Sequence, residues 1–118
     1  MVRVPIPKRG DVWLVNFDPS VGAEIQKYRP AVVLNRDDIG RMPLRIVVPV
    51  TDWKPHYAQA PWFVLLRPSA GNGLRKESGA DAFQVKSISC NRFVKKIGEV
   101  TDADLYDIID AIGSCLGA

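Results

Sequence analysis

The sequence predicts a mainly β protein with one C-terminal helix, and three observations support that fold class. Short runs rich in β-branched and aromatic residues recur over the first hundred positions, separated by clusters of Pro, Gly, Asn and Asp. From about residue 101 the apolar residues return at helical spacing instead. The chain has 118 residues, 47% of them hydrophobic, which is enough for one core and too little for two. Short strands with turns between them and a single helix argue for a small, strongly curved antiparallel sheet or barrel. Such an interior is filled by its own side chains, so function belongs on loops or an outer face.

Taken in order, Gly10-Asp11 opens VWLVNF (12–17), and Asp18-Pro19-Ser20 closes it. PAVVLN (30–35) follows, with Pro30 at a first strand position, where a missing ladder donor is tolerated. NRDDIGRMP reads as a turn-rich connection, and LRIVVPVT (44–51) as a third strand in which Pro49 suggests an edge or a bulge. PWFVLL (61–66) is a fourth, and RPSAGNGLRKESG is a loop. DAFQVKSIS (81–89) and RFVKKIGEV (92–100) supply two more strands, with Gly98 at a bulge or bend. Alternation along the former turns Gln84, Lys86 and Ile88 one way and Phe83, Val85 and Ser87 the other. Thr101 and Asp104 have the first-and-fourth spacing of a helix cap. Leu105, Ile108, Ile109, Ile112 and Leu116 then mark the packed face of a helix over about 102–116, whose early acids suit its dipole.

The net charge of +3 is unevenly spread. All sixteen Lys and Arg precede residue 99 and meet eight acids there, a formal +8, while five acids and no Lys or Arg follow. A basic body offers a surface to polyanions, although a solvated surface accounts for the charge equally well. Cys90 and Cys115 form no CxxC pair and read as two buried reduced thiols, which suits a cytoplasm. No run of about 18 apolar residues occurs, and MVRVPIPKRG lacks a cleavable leader pattern, so a soluble cytoplasmic protein with no membrane partner is expected. His56 is the single histidine and has no ligand-spaced partner, so no metal site and no cofactor are expected. GxSxG, HExxH, P-loop and GxGxxG motifs are all absent, leaving acyl transfer, zinc proteolysis and nucleotide hydrolysis without support.

The polar candidates begin with GAEIQKYRPAVVL (22–34), which crowds Glu24, Lys27 and Arg29 before an apolar strand. Gly22 permits a shaped loop, and the junction with Pro30 favours extended geometry that holds Arg29 at the strand's entrance. An arginine there pairs with Glu24, a surface contact worth about 0–1 kcal/mol, or meets an outside phosphate. Thr51 and Asp52 close the VVPV run, and Gln84 and Lys86 share a face suited to a nucleic-acid backbone. Trp53, Tyr57 and Trp62 flank His56, where aromatics either stack on unpaired bases or pack their loop against the sheet.

Read together, RGDVWLVNFDPSVGAEIQKYRPAVVLN, VVPVT, FQVKSI and the T-x-x-D-L helix resemble the MazF/PemK family of bacterial toxins, the endoribonuclease halves of toxin–antitoxin pairs. The similarity spans nearly the whole chain, and GDVWLVNFDP combined with GxExxxxRPAVVL is specific. The resemblance implies one toxin domain over 1–118 with a small SH3-like barrel of the CcdB/MazF type, forming a homodimer. It implies metal-independent cleavage of single-stranded RNA by 2′-hydroxyl attack, leaving 2′,3′-cyclic phosphate and 5′-hydroxyl ends. Its catalytic arginine and threonine fall on Arg29 and Thr51, and its loop glutamate on Glu24. Gln84, Lys86 and Ser87 fall near the RNA path, with Lys27, Asp52 and Trp53 in the adjoining loops. Tyr28 departs from relatives with histidine before this arginine.

A guanidinium with a pKa above about 12 suits an electrostatic stabiliser or acid better than a base, which leaves Glu24 as the candidate base. The family's partner is a cognate antitoxin with an acidic, partly disordered C-terminal tail, for which a +8 body is a plausible surface. Two alternatives remain at this level. A gyrase-poisoning toxin of the same fold acts through a C-terminal aromatic that IGSCLGA lacks, and a non-catalytic RNA-binding module has no use for Glu24, Arg29 and Thr51 together.

Overall fold

The computed structural model describes residues 6–39 and 42–118. Seven strands precede one helix: β1 (Asp11–Asn16), β2 (Tyr28–Val33), β3 (Leu44–Asp52), β4 (Phe63–Leu66), β5 (Ser78–Asp81), β6 (Lys86–Ser89), β7 (Phe93–Glu99) and α1 (Asp102–Leu116). The pairings are antiparallel in the order β4-β5-β3-β2-β1-β7, with β6 also on β3. The expected barrel is open, because its end strands β4 and β7 do not pair with each other. No helix among the described residues is long and apolar enough to cross a membrane.

The long strand β3 organises the sheet. One edge pairs with β2, while the other is shared by β6 over residues 44–47 and β5 over residues 50–52. Pro49 lies at that change of partner and is fully buried, not on an edge. The Leu34 amide donates to the Ile46 carbonyl at 2.9 Å, and the Ile46 amide to Asn35 Oδ1 at 3.0 Å, so even positions of β3 turn their backbone groups toward β2. Pro49 is odd, and its missing N–H falls in the gap where β6 has ended and β5 has not begun.

Two strands differ from expectation for local reasons. β5 is built from Ser-Gly-Ala-Asp, all buried, and carries no β-branched signal, so its sequence reads as loop. The stretch 81–89 is not one strand, because a 3-10 turn over Ala82–Gln84 interrupts it. The Asp81 carboxylate accepts the Phe83 amide at 3.2 Å and caps that turn, which breaks the alternation and leaves Phe83 70% exposed.

Side-chain alternation gives the sheet a core on each face. On one face Val12, Val32, Val48, Val50, Leu66 and Ala80 pack with Leu105 and Ile108 of α1. On the other, Val15, Phe17, Ala31, Val33, Val47, Ile88 and Phe93 form a second cluster, with Trp13 and Ile25 against it. Thr101 caps α1 by accepting the Asp104 amide, as expected. The packed stripe is Leu105, Ile108, Ala111 and Ile112, whereas Ile109, turned off that stripe, and Leu116, the last residue of the helix, are exposed. Ile97 is the extra residue of a bulge between the Val12–Gly98 and Trp13–Lys96 pairs, which confirms Gly98 beside an irregularity. A Cβ on Gly98 would lie 2.4 Å from the Asn72 carbonyl carbon. Both cysteines are free, but only Cys90 is buried, since Cys115 lies on the half-exposed side of α1.

Candidate active site

The site is built where β2 and β3 part. Odd positions of β2 turn their backbone groups toward β1, so Arg29 lies within the strand, paired with Val15, and not ahead of it. Even positions face β3, where Pro30 offers no donor. The β2–β3 ladder therefore ends at the pair Ala31–Pro49. Carried two residues further, the same register sets Pro30 opposite Val50 and Arg29 opposite Thr51. Both side chains project from the face of the second core, beyond Ala31 and Val47. Thr51 is held from its other side by pairing with Gly79 of β5.

Arg29 is half-buried, and its Nε is fully buried without a hydrogen-bond partner. It forms no ion pair with Glu24 among the described residues. Glu24 instead accepts the Val21 amide at 2.9 Å and approaches Lys86 Nζ at 3.8 Å. Lys86 sits opposite Val47, on the same face as Arg29 and Thr51, and its ammonium lies 5.8 Å from the centre of the Phe17 ring. Gln84 joins this group through the loop: its Oε1 accepts the Ile25 amide at 2.5 Å. The structure thus gathers Glu24, Arg29, Thr51, Gln84 and Lys86 along one face and its overlying loop.

The loop from 17 to 27 has the special geometry that Gly22 suggested, with φ +60 at that residue. Lys27 is also left-handed, at φ 67, a conformation that costs a non-glycine residue energy and is paired here on both backbone groups. Its amide donates to Asp18 Oδ1 and its carbonyl accepts the Phe17 amide, each at 2.9 Å. Its side chain is exposed at the edge of the site.

Three expected residues stand apart from this group. Ser87 pairs with Ile46 and so faces away from Lys86, into a groove with Ile39, Met42 and Leu44. Asp52 is exposed and pairs with Lys76 at 3.0 Å. Trp53 packs edge-on to Tyr57, which stacks on Phe63 at 3.8 Å, so these aromatics hold their loop down over Gly79.

Sequence reading weighed Trp62 for base stacking but missed two of its neighbours, Phe83 and Asp81. Trp62 and Phe83 meet edge-to-face at 6.2 Å and stay exposed, lining a groove of about 490 Å³ with Ala23, Glu24, Asp81 and Gln84. Asp81 is the buried carboxylate of that groove, and burial pushes it above the usual carboxylate range. Neither could be found by strand alternation, because a turn places Phe83 and Asp81 where they are.

By fold, the protein is an open antiparallel sheet with its helix on one face and the side chains of Arg29 and Thr51 on the other. The crystal structure of MazF from Deinococcus radiodurans has this fold, with a TM-score of 0.82 at 27% identity over 97% of this chain and 99% of that one. A MazE–MazF crystal structure from the same organism aligns with a TM-score of 0.73 at 27% identity, covering 96% and 98% of the two chains. Endoribonuclease MazF9 of Mycobacterium tuberculosis is 33% identical over 111 residues, covering 89% of this chain and 92% of the relative. Residues 8–116 match the PemK-like, MazF-like toxins of type II toxin–antitoxin systems, and the chain belongs to that family.

Proposed function

We propose that this protein is an endoribonuclease toxin that cuts single-stranded RNA in the cleft between Arg29 and Thr51. The observation that carries the reading is Arg29, its Nε buried without a partner, on a strand whose register sets it opposite Thr51 just past the last β2–β3 pair. The ribose 2′-oxygen attacks the adjacent phosphorus and gives up its proton, the bond to the 5′-oxygen breaks, and that oxygen is protonated. The products are a 2′,3′-cyclic phosphate and a 5′-hydroxyl end. The Arg29 fork donates to the phosphorane oxygens, where charge accumulates, and the Thr51 hydroxyl adds one bond. Glu24, an acceptor on the overlying loop, takes the 2′-proton. No cofactor or metal enters this scheme.

Lys86, Gln84 and Lys27 line the approach to the phosphate backbone, and the exposed Trp62–Phe83 pair offers a stacking platform beside them. Stacking needs an unpaired base, which accounts for a single-stranded substrate. Family membership favours this reading over a gyrase-directed toxin and over a non-catalytic RNA-binding module. Residues 1–118 act as one toxin domain in the cytoplasm.

Two partners complete the reading. A second copy covers the groove of about 630 Å³ whose walls include the exposed Ile6, Ile39, Met42, Leu44 and Ile46, giving a homodimer. An antitoxin brings an acidic tail to the basic face, as the MazE–MazF relative suggests.

The test is incubation with a long single-stranded RNA in EDTA. Fragments with 5′-hydroxyl ends are expected, and a 2′-methoxy group at the cut site should prevent them. Intact RNA, or cleavage that survives the 2′-methoxy group, overturns the proposal.

A further inference from the structure

Asp81 is costly where it stands. It closes β5, 7% exposed, at a place where an apolar side chain would pack without desolvating a charge. Both of its oxygens are engaged. Oδ1 accepts the Phe83 amide at 3.2 Å, and Oδ2 accepts Gln84 Nε2 at 3.0 Å. It lies two residues beyond Gly79, the partner of Thr51, on the same side of β5.

The consequence lies one bond further on. With Nε2 drawn to Asp81, the Gln84 amide must present Oε1 to the Ile25 amide, which it accepts at 2.5 Å, while Nε2 also reaches the Ala23 carbonyl at 3.5 Å. A flipped amide would set a donor against a donor at Ile25. A carboxylate accepts only, so it excludes the flip, whereas a hydroxyl or an amide in its place would not. Among the described residues, these are the backbone bonds that tie loop positions 23 and 25 to the sheet.

We infer that Asp81 is a positioning residue: it orients the Gln84 amide, and through it holds the loop carrying Glu24 against the face bearing Arg29 and Thr51. The catalytic consequence rests on the ribonuclease reading above, but the structural one does not. Asp81 touches no reacting atom, and its effect passes entirely through Gln84.

Hydrogen exchange and cleavage test it together. Asp81→Leu should speed exchange at the Ile25 amide at least about tenfold while leaving the β3 amides protected, and should lower kcat/KM about tenfold. Asp81→Asn has one oxygen for two donors and no longer excludes the flip, so it should fall between the parent and Asp81→Leu on both measures. In a Gln84→Leu background, Asp81→Leu should add no further loss. Unchanged protection of the Ile25 amide in Asp81→Leu overturns the proposal, as do losses that multiply in the double variant. If the leucine variant does not fold, Asp81→Ala removes the same oxygens without added bulk and carries the same comparison. Amide exchange needs no RNA, so a protein that cleaves nothing would end the ribonuclease reading and leave this inference still decided by its own measurement.

Discussion

The β2–β3 register, carried two residues beyond its last pair, sets Arg29 opposite Thr51, and between them Pro30 has no N–H with which to continue the ladder. The proline next to this arginine is therefore a structural device as well as a conformational one. It opens the ladder, and it keeps Arg29 in register with Val15 on the far side.

From that geometry, Arg29→Ala should reduce single-turnover cleavage by at least about a hundredfold. Arg29→Lys should recover little of it, because a point charge does not reproduce the planar fork. Thr51→Ala should cost less, about tenfold, in keeping with one lost hydrogen bond to the phosphorane. Single-turnover rates beside thermal unfolding curves decide this, and an Arg29→Ala variant with parental rates would remove the arginine from the chemistry.

Glu24→Gln should slow single-turnover cleavage by about a hundredfold while binding of a 2′-deoxy substrate analogue stays close to parental. The amide preserves the acceptor for the Val21 N–H, and the long, half-exposed contact with Lys86 that it loses is worth only about 0–1 kcal/mol. The loop therefore keeps its shape, and the binding measurement separates any effect of Lys86 from proton transfer. Full activity in Glu24→Gln alongside loss in Arg29→Ala would take the base role away from Glu24.

The aromatic pair acts through binding. Phe83→Ala and Trp62→Ala should each raise KM by about five- to a hundredfold with kcat little changed, the range expected for one lost base stack. A fall in kcat at constant KM would place these rings in the chemistry instead.

At the apolar groove, Ile46→Glu would bury a charge against a second copy. The parent protein should run as a dimer in size-exclusion chromatography with light scattering, and the variant as a monomer. A parent that is monomeric at micromolar concentration would refute the assembly.

Asp81 carries a pH signature whose sign follows from burial. Its folded pKa lies above the ordinary carboxylate value, so the folded state holds the proton over a window that begins near about pH 4, where the unfolded chain has released it. The stabilisation from that retained proton is fully present below the ordinary value and is lost as pH rises through the folded one. Asp81→Asn has no such proton to lose, so denaturant unfolding should show its stability gaining on the parent as pH rises above about 4. A difference that is flat with pH would contradict the assignment.

The sequence alone determined six of the seven strands in their order and the capped helix, because these depend on residue type and local spacing, while family resemblance marked Glu24, Arg29, Thr51, Gln84 and Lys86 as the candidate site. Motif order was enough to name Arg29 and Thr51 as candidates for one site, although they are far apart in the chain. Tertiary structure decided what depends on long-range register. It placed Ser87 on the opposite face from Lys86, seated Trp53 among packed aromatics, and made a strand of Ser78–Asp81, which has no strand signal of its own. It also broke the alternation at Phe83, through a cap supplied by the buried Asp81. Side-chain alternation is a rule within one unbroken strand. Where a turn interrupts the strand, the face each residue presents is settled by the neighbours it meets, and the 3-10 turn at Ala82–Gln84 is what brings Asp81, Gln84 and the Glu24 loop together.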